Sequence, residues 1–138
     1  MSVQDQVYPQ ATREIAEQRK RLAPGPAQAF GAFSRSVFAE GAIPSRTKQL
    51  IAVAVAHVTQ CPYCIRGHTS AALHQGATAE EIMEAIWVAA EMRAGGAYAH
   101  SALALDTIAR VQTERSRQAD GPGAVASPSG EDTVKREP

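Results

Sequence analysis

Leu50 to Gln60 reads LIAVAVAHVTQ, and the chain runs straight on into CPYCIRGH, Cys61 to His68. How the first stretch folds decides the architecture. Its Val and Ile residues would suit a strand. Alanines are interleaved with them, though, and the apolar run belongs to a longer segment, Ser45 to Gln60. Alanine is the strongest helix former, and the segment is longer than a usual strand. The stretch therefore reads as a helix. It is apolar nearly all round, which predicts a buried central helix.

The flanking sequence agrees with an all-α chain. Ala11 to Leu22 reads as a charged helix, interrupted by Pro24 and Pro26. Pro26, Phe30, Phe33 and Val37 then fall at helical spacing, so a helix is predicted from Pro26 to Glu40, with Gly41 as its C-terminal cap. Pro44-Ser45 opens the central helix, with Ser45 as candidate N-cap. Beyond it, Cys61 takes an N-cap position and Pro62 the first helical one, where a missing N–H costs nothing. That helix is predicted to reach Gln75, with Gly76 closing it. Thr78 and Glu81 form a T-x-x-E capping box for the next, whose inward face is Ile82, Ile86, Ala89 and Ala90. Gly95-Gly96 predicts a break or a close helix approach. A last helix, Ala97 to about Val111, carries His100, Leu103, Ala104 and Ile108. Nowhere do apolar and polar residues alternate as in a half-buried strand.

With 138 residues the chain suits one domain, placed at residues 1–115. Residues 116–138 are rich in Gly, Pro, Ser and charge and poor in large apolar side chains. Such a segment buries too little to offset ordering, at about 1–2 kcal/mol per residue, and reads as a disordered or loosely packed tail. Fourteen basic residues balance fourteen acidic ones, which argues against an electrostatic grip on nucleic acid or an anionic membrane. No apolar run is long enough for a membrane span, and the N-terminal residues lack a signal-peptide pattern. A cytoplasmic setting is expected, where thiols stay reduced and paired cysteines are catalytic or metal-binding more often than structural.

Both cysteines of the chain lie in the one motif. With Cys61 as N-cap, Cys64 is the third helical residue, and both sulfurs lie within the first turn. Unsatisfied N–H groups and the positive dipole end favour a thiolate there. His68 follows Cys64 by four residues, on the same face, where it can take up a thiol proton or stabilise the thiolate. His57 lies four residues before Cys61 and also points toward the motif. Redox chemistry is the reading these features favour. A metal-binding module is the alternative, with Cys61, Cys64, His68 and either His57 or His100 as ligands. Zinc sites usually draw on two separated pairs. A structural disulfide gains little from so short a loop. Two inert core cysteines complete the alternatives.

The run from Ile43 to His100, and CPYCIRGH followed by GATAEEIMEAI in particular, resembles the core of the carboxymuconolactone decarboxylase-like superfamily, closest to its AhpD-like alkylhydroperoxidases. The decarboxylases generally lack the cysteine pair. The resemblance implies an AhpD-like helical bundle assembled as a homotrimer or homohexamer. It implies a thiol peroxidase or disulfide reductase acting on hydroperoxides, regenerated by a dithiol donor such as a lipoyl-protein, with no cofactor or metal. Carried over, Cys64 attacks the peroxide, Cys61 resolves the sulfenic acid, and His68 belongs to a proton relay. The family commonly has a glutamate where this chain has Gln49, and glutamine takes up no proton at neutral pH. His57, then His100, are candidates to replace it, while Gln49 is placed to orient His68. A member that keeps the fold without the chemistry is the remaining alternative.

Overall fold

A computed structural model describes residues 7–121, and among these the secondary structure is helical throughout. Five helices follow in order: α1 (Arg13–Leu22), α2 (Pro24–Phe38), α3 (Ser45–Thr59), α4 (Pro62–His74) and α5 (Ala79–Ala119). The tail from residue 122 lies outside the described residues. Its expected first residues, from Ser116, continue α5 as far as Ala119.

Two compact units divide the described residues, one up to Gly96 and one from Ala97. The first holds the site. There α3 packs chiefly on α4, and α2 bridges α1 and α3. The core is small: Val53, Ala72, Ala77 and Ile82, with Leu50 and Ile86 packed against it. Val53 is fully buried at the centre. Arg46 reaches from the first turn of α3 to the Gly76 carbonyl and to the Glu81 carboxylate, tying α3 to the start of α5. In the second unit α5 carries Leu103, Leu105 and Ile108, all largely exposed.

The junctions account for most of these boundaries. Gln60 ends α3 in the left-handed region, at φ 55° and ψ 40°, and the chain reverses there directly into Cys61. Gly76 follows α4 at φ +86°, a conformation that glycine adopts without strain. The capping box is formed in both directions: the Glu81 amide donates to Thr78 Oγ1 at 3.1 Å and the Thr78 amide to Glu81 at 2.8 Å.

Four expectations are corrected. First, α2 begins at Pro24 and ends at Phe38, and Gly41 is not its left-handed cap. Lys48 Nζ instead donates to the carbonyls of Val37 and Ala39, at 2.8 and 2.6 Å, and satisfies the helix end from a distance. Second, Pro44 is the N-cap of α3 and Ser45 its first residue, with no side-chain capping bond. Third, α3 is not buried all round. Gln49, Val53 and Ala56 are buried, whereas Ile51, Val55 and Val58 are roughly half exposed. Within the chain α4 and the start of α5 cover one face, and α2 meets only part of the rest. Fourth, Gly95-Gly96 neither breaks the helix nor admits a close neighbour. A side chain at Gly96 would meet nothing within 4 Å, and at Gly95 it would meet the Glu91 carboxylate of the same helix. Glycine inside a helix costs about 1 kcal/mol, which weakens a long helix without ending it.

Candidate functional site

The site is built on α4. Cys61 has extended backbone at the N-cap, and its Sγ accepts the Cys64 amide at 3.3 Å. Pro62 occupies the first turn, and the chain continues without a break to His74. Both sulfurs are free thiols and half-buried. The interaction with the Cys64 thiol, reinforced by the Cys64 amide, holds the Cys61 thiol below the ordinary cysteine range. Cys64 is pushed the other way: ionising it forfeits its interaction with the Cys61 thiol, burial penalises its charge, and Cys61 repels it. The helix start therefore favours charge on the first sulfur and leaves the proton on the second.

One turn further on, His68 is held on both sides. Its Nδ1–H donates to Gln49 Oε1 at 2.9 Å, and its ring stacks on Phe38 with centroids 5.1 Å apart and planes 26° apart. Gln49 is 7 % exposed and stands on the buried stripe of α3, one turn ahead of Val53. Its amide thus accepts from His68 in a dry place, where a hydrogen bond is well defined and costly to lose. With Nδ1 protonated, the neutral ring keeps a lone pair on Nε2.

Cys64 and His68 line a cavity of about 400 Å³ whose other walls include Val37, Phe38, Ile51, Ala52 and Val55. That volume falls within the range of small-molecule sites. The same two residues, with Phe38, also line a second, more open concavity of about 540 Å³, with Arg35, Ser34, Gln49 and Tyr63 among its walls. Tyr63 Oη donates to the Pro9 carbonyl at 2.9 Å, and the Tyr8 ring meets the Tyr63 ring edge-on. The segment before α1 is thereby laid beside the motif.

Of the residues singled out from sequence, Cys61, Cys64, His68 and Gln49 come together. His57 does not join them: its Nδ1–H donates to the Val53 carbonyl one turn earlier in its own helix, at 2.7 Å, and it is absent from both cavity walls. His100 is exposed and belongs to the second unit. Among the described residues no three His, Cys, Asp or Glu side chains converge as a metal-ligand set, so the metal-binding alternative finds no site here. Phe38, Lys48 and Arg35 were not foreseen. No local spacing in the sequence relates them to Cys64. No described helix is long and apolar enough to cross a membrane.

Relatives place the geometry in a family. An uncharacterised protein encoded in the cox locus of Paracoccus denitrificans is 69 % identical over 80 residues, which cover 58 % of this chain and 72 % of that protein. An uncharacterised protein of Cupriavidus necator is 40 % identical over 83 residues, 59 % of this chain and 74 % of that one. Among solved structures, a protein of Methanobacterium thermoautotrophicum superposes with a TM-score of 0.58 at 37 % identity, covering 60 % of this chain and 93 % of that one. An apo carboxymuconolactone decarboxylase family protein of Legionella pneumophila gives 0.54 at 32 % identity, covering 59 % and 75 %. The family model itself matches residues 24–107, well over half of the chain and the whole of the cysteine site, and the chain belongs to the carboxymuconolactone decarboxylase family.

Proposed function

We propose that this protein is a thiol-dependent hydroperoxidase of the alkylhydroperoxidase kind. The observation that carries the reading is the shared wall: Cys64 and His68 face one apolar cavity of about 400 Å³, and the sulfur of Cys61 is within hydrogen-bond reach of the Cys64 amide. An alkyl chain fits the cavity, and its peroxide would meet Cys64 beside a ring that can take up a proton.

In the cycle, His68 Nε2 takes the thiol proton of Cys64. The thiolate attacks one peroxide oxygen; the S–O bond forms as the O–O bond breaks. The alkoxide leaves with the proton from His68 as an alcohol, and Cys64 is a sulfenic acid. The Cys61 thiolate then attacks the Cys64 sulfur, an S–S bond forms, and hydroxide leaves as water. A dithiol donor, for which a lipoyl-protein is the family precedent, reduces the disulfide by two exchange steps and is itself oxidised. Gln49 holds the tautomer but accepts no proton, so His68 alone carries the relay.

The test is consumption of tert-butyl hydroperoxide with a dithiol donor. Cys64→Ser is expected to abolish turnover. Cys61→Ser is expected to consume one equivalent and leave a sulfenic acid that dimedone captures. Full turnover by Cys64→Ser ends the reading.

One observation favours a second reading, disulfide reduction begun by Cys61. Its thiol is the one held below the usual range, and thiolate fraction governs attack on disulfides. A mixed disulfide trapped on Cys61 in Cys64→Ser, with no peroxide consumption by the parent protein, would select it. We further propose a homotrimer or homohexamer. Trp87, Val88 and Met92 are 69 %, 61 % and 64 % exposed in the single chain, an apolar surface that copies of the chain would cover. Light scattering that shows a monomer at micromolar concentration would refute this.

A further inference from the structure

The two concavities that Cys64 lines differ in chemistry. The first is walled almost wholly by carbon. The second is mainly apolar as well but carries more polar surface, and Arg35 is the one Arg or Lys on its wall. Arg35 lies on the exposed face of α2, and its guanidinium forms no salt bridge among the described residues. Its Nη1 lies over Gly31, 3.4 Å from where a Cβ would stand, at the edge of a further concavity that Lys20 also lines. The other polar groups on the wall of the second concavity are neutral or occupied. Gln49 accepts from His68, and Tyr63 donates to the Pro9 carbonyl. Lys48, on the wall of the apolar cavity, has its ammonium committed to two backbone carbonyls. One uncommitted cation therefore borders the more polar of the two concavities that Cys64 lines, and the other concavity is lined by hydrocarbon.

Resting on the hydroperoxidase reading above, we propose that the substrate is an anionic amphiphile, a hydroperoxide of a carboxylic acid. Its alkyl tail enters the cavity of Val37, Ile51, Ala52 and Val55, its peroxide lies at Cys64, and its carboxylate pairs with Arg35. A carboxylate fits because the guanidinium fork donates to its two oxygens together, and one cation balances one negative charge. A doubly charged phosphate would leave a charge unmatched. Arg35 is thus a specificity-determining residue, and the chemistry at sulfur is the cycle already described.

The experiment compares a fatty-acid hydroperoxide with its methyl ester, which has the same tail and peroxide but no charge. The parent protein is expected to prefer the acid in kcat/KM by about two- to fivefold, the size an exposed charge pair supplies. The preference should reside in KM and shrink as salt is raised. Arg35→Gln should bring the ratio to about one, and Arg35→Lys should keep part of it. Equal use of acid and ester by the parent protein, or an undiminished ratio in Arg35→Gln, overturns the anchor and leaves the hydroperoxidase reading standing. Consumption of neither peroxide overturns both.

Discussion

Gln49→Leu isolates what a neutral amide does where the family commonly has a carboxylate. The substitution nearly conserves volume, so the cavity contribution is small. What is lost is the acceptor 2.9 Å from His68 Nδ1. His68 is half-buried, and its orphaned N–H can partly rehydrate from the neighbouring concavity. The cost should therefore lie toward the low end of the range for a stranded donor, about 1–2 kcal/mol. In a small domain that lowers the unfolding midpoint by several degrees. The effect on rate should be larger than the effect on stability implies. Without the acceptor, nothing holds Nδ1 protonated and Nε2 free, and a positioned base contributes about 10²–10⁴ in rate. Peroxide consumption at neutral pH is expected to fall at least about tenfold, with both thiols still titratable. Gln49→Glu works in the opposite direction. A carboxylate beside the ring would stabilise the imidazolium formed when His68 takes the Cys64 proton. Two unit charges 4 Å apart attract by about 4 kcal/mol at an effective dielectric of 20, part of which is offset by burying the carboxylate. An increase in rate of about tenfold is expected. The assay is initial-rate hydroperoxide consumption with calorimetric unfolding on the same samples. Gln49→Leu with the parent rate would refute the idea that the amide positions the base. So would a Gln49→Glu variant no faster than Gln49→Leu.

The thiols should titrate apart: alkylation with iodoacetamide, followed by peptide mass analysis, is expected to label Cys61 at lower pH than an ordinary cysteine and Cys64 only at higher pH. The linked stability effects oppose each other. The depressed Cys61 contributes stability that appears as pH rises from its folded to its unfolded pKa, whereas the raised Cys64 contributes stability that is lost as pH rises above its unfolded value. A single titration shared by both thiols would contradict their unequal environments. Val53→Ala, at the fully buried centre of the core, should cost about 2 kcal/mol and lower the urea midpoint without changing the slope. The two left-handed positions should respond with opposite signs. Gln60→Gly is expected to stabilise by up to about 1 kcal/mol, and Gly76→Ala to destabilise by a similar amount, in thermal unfolding.

Much of the local structure was legible because it is governed by neighbours in the chain. The Cys61 cap, Pro62 in the first turn, Gly76 beyond α4 and the Thr78–Glu81 box each depend on residues within four positions, and each is formed. The proximity of Cys61, Cys64 and His68 follows from the same short-range geometry of one helix. Where the reading failed, a distant residue had replaced a local signal. Lys48 took over the helix end expected of Gly41, and the half-exposed far side of α3 departed from the all-round burial that its composition suggested.

The sequence by itself determined the helical class, the motif and the turn on which both sulfurs stand, because hydrogen bonding within a helix and at its ends is set by spacing along the chain. Tertiary structure alone decided which groups surround those sulfurs. It brought Gln49 to His68 across nineteen residues, seated Phe38 on the ring, turned His57 to its own backbone and set a hydrocarbon cavity and a second concavity edged by Arg35 at Cys64. Those contacts arise from the packing of α2 and α3 against α4, which depends on the shapes of surfaces remote in sequence and leaves no periodic mark in the chain.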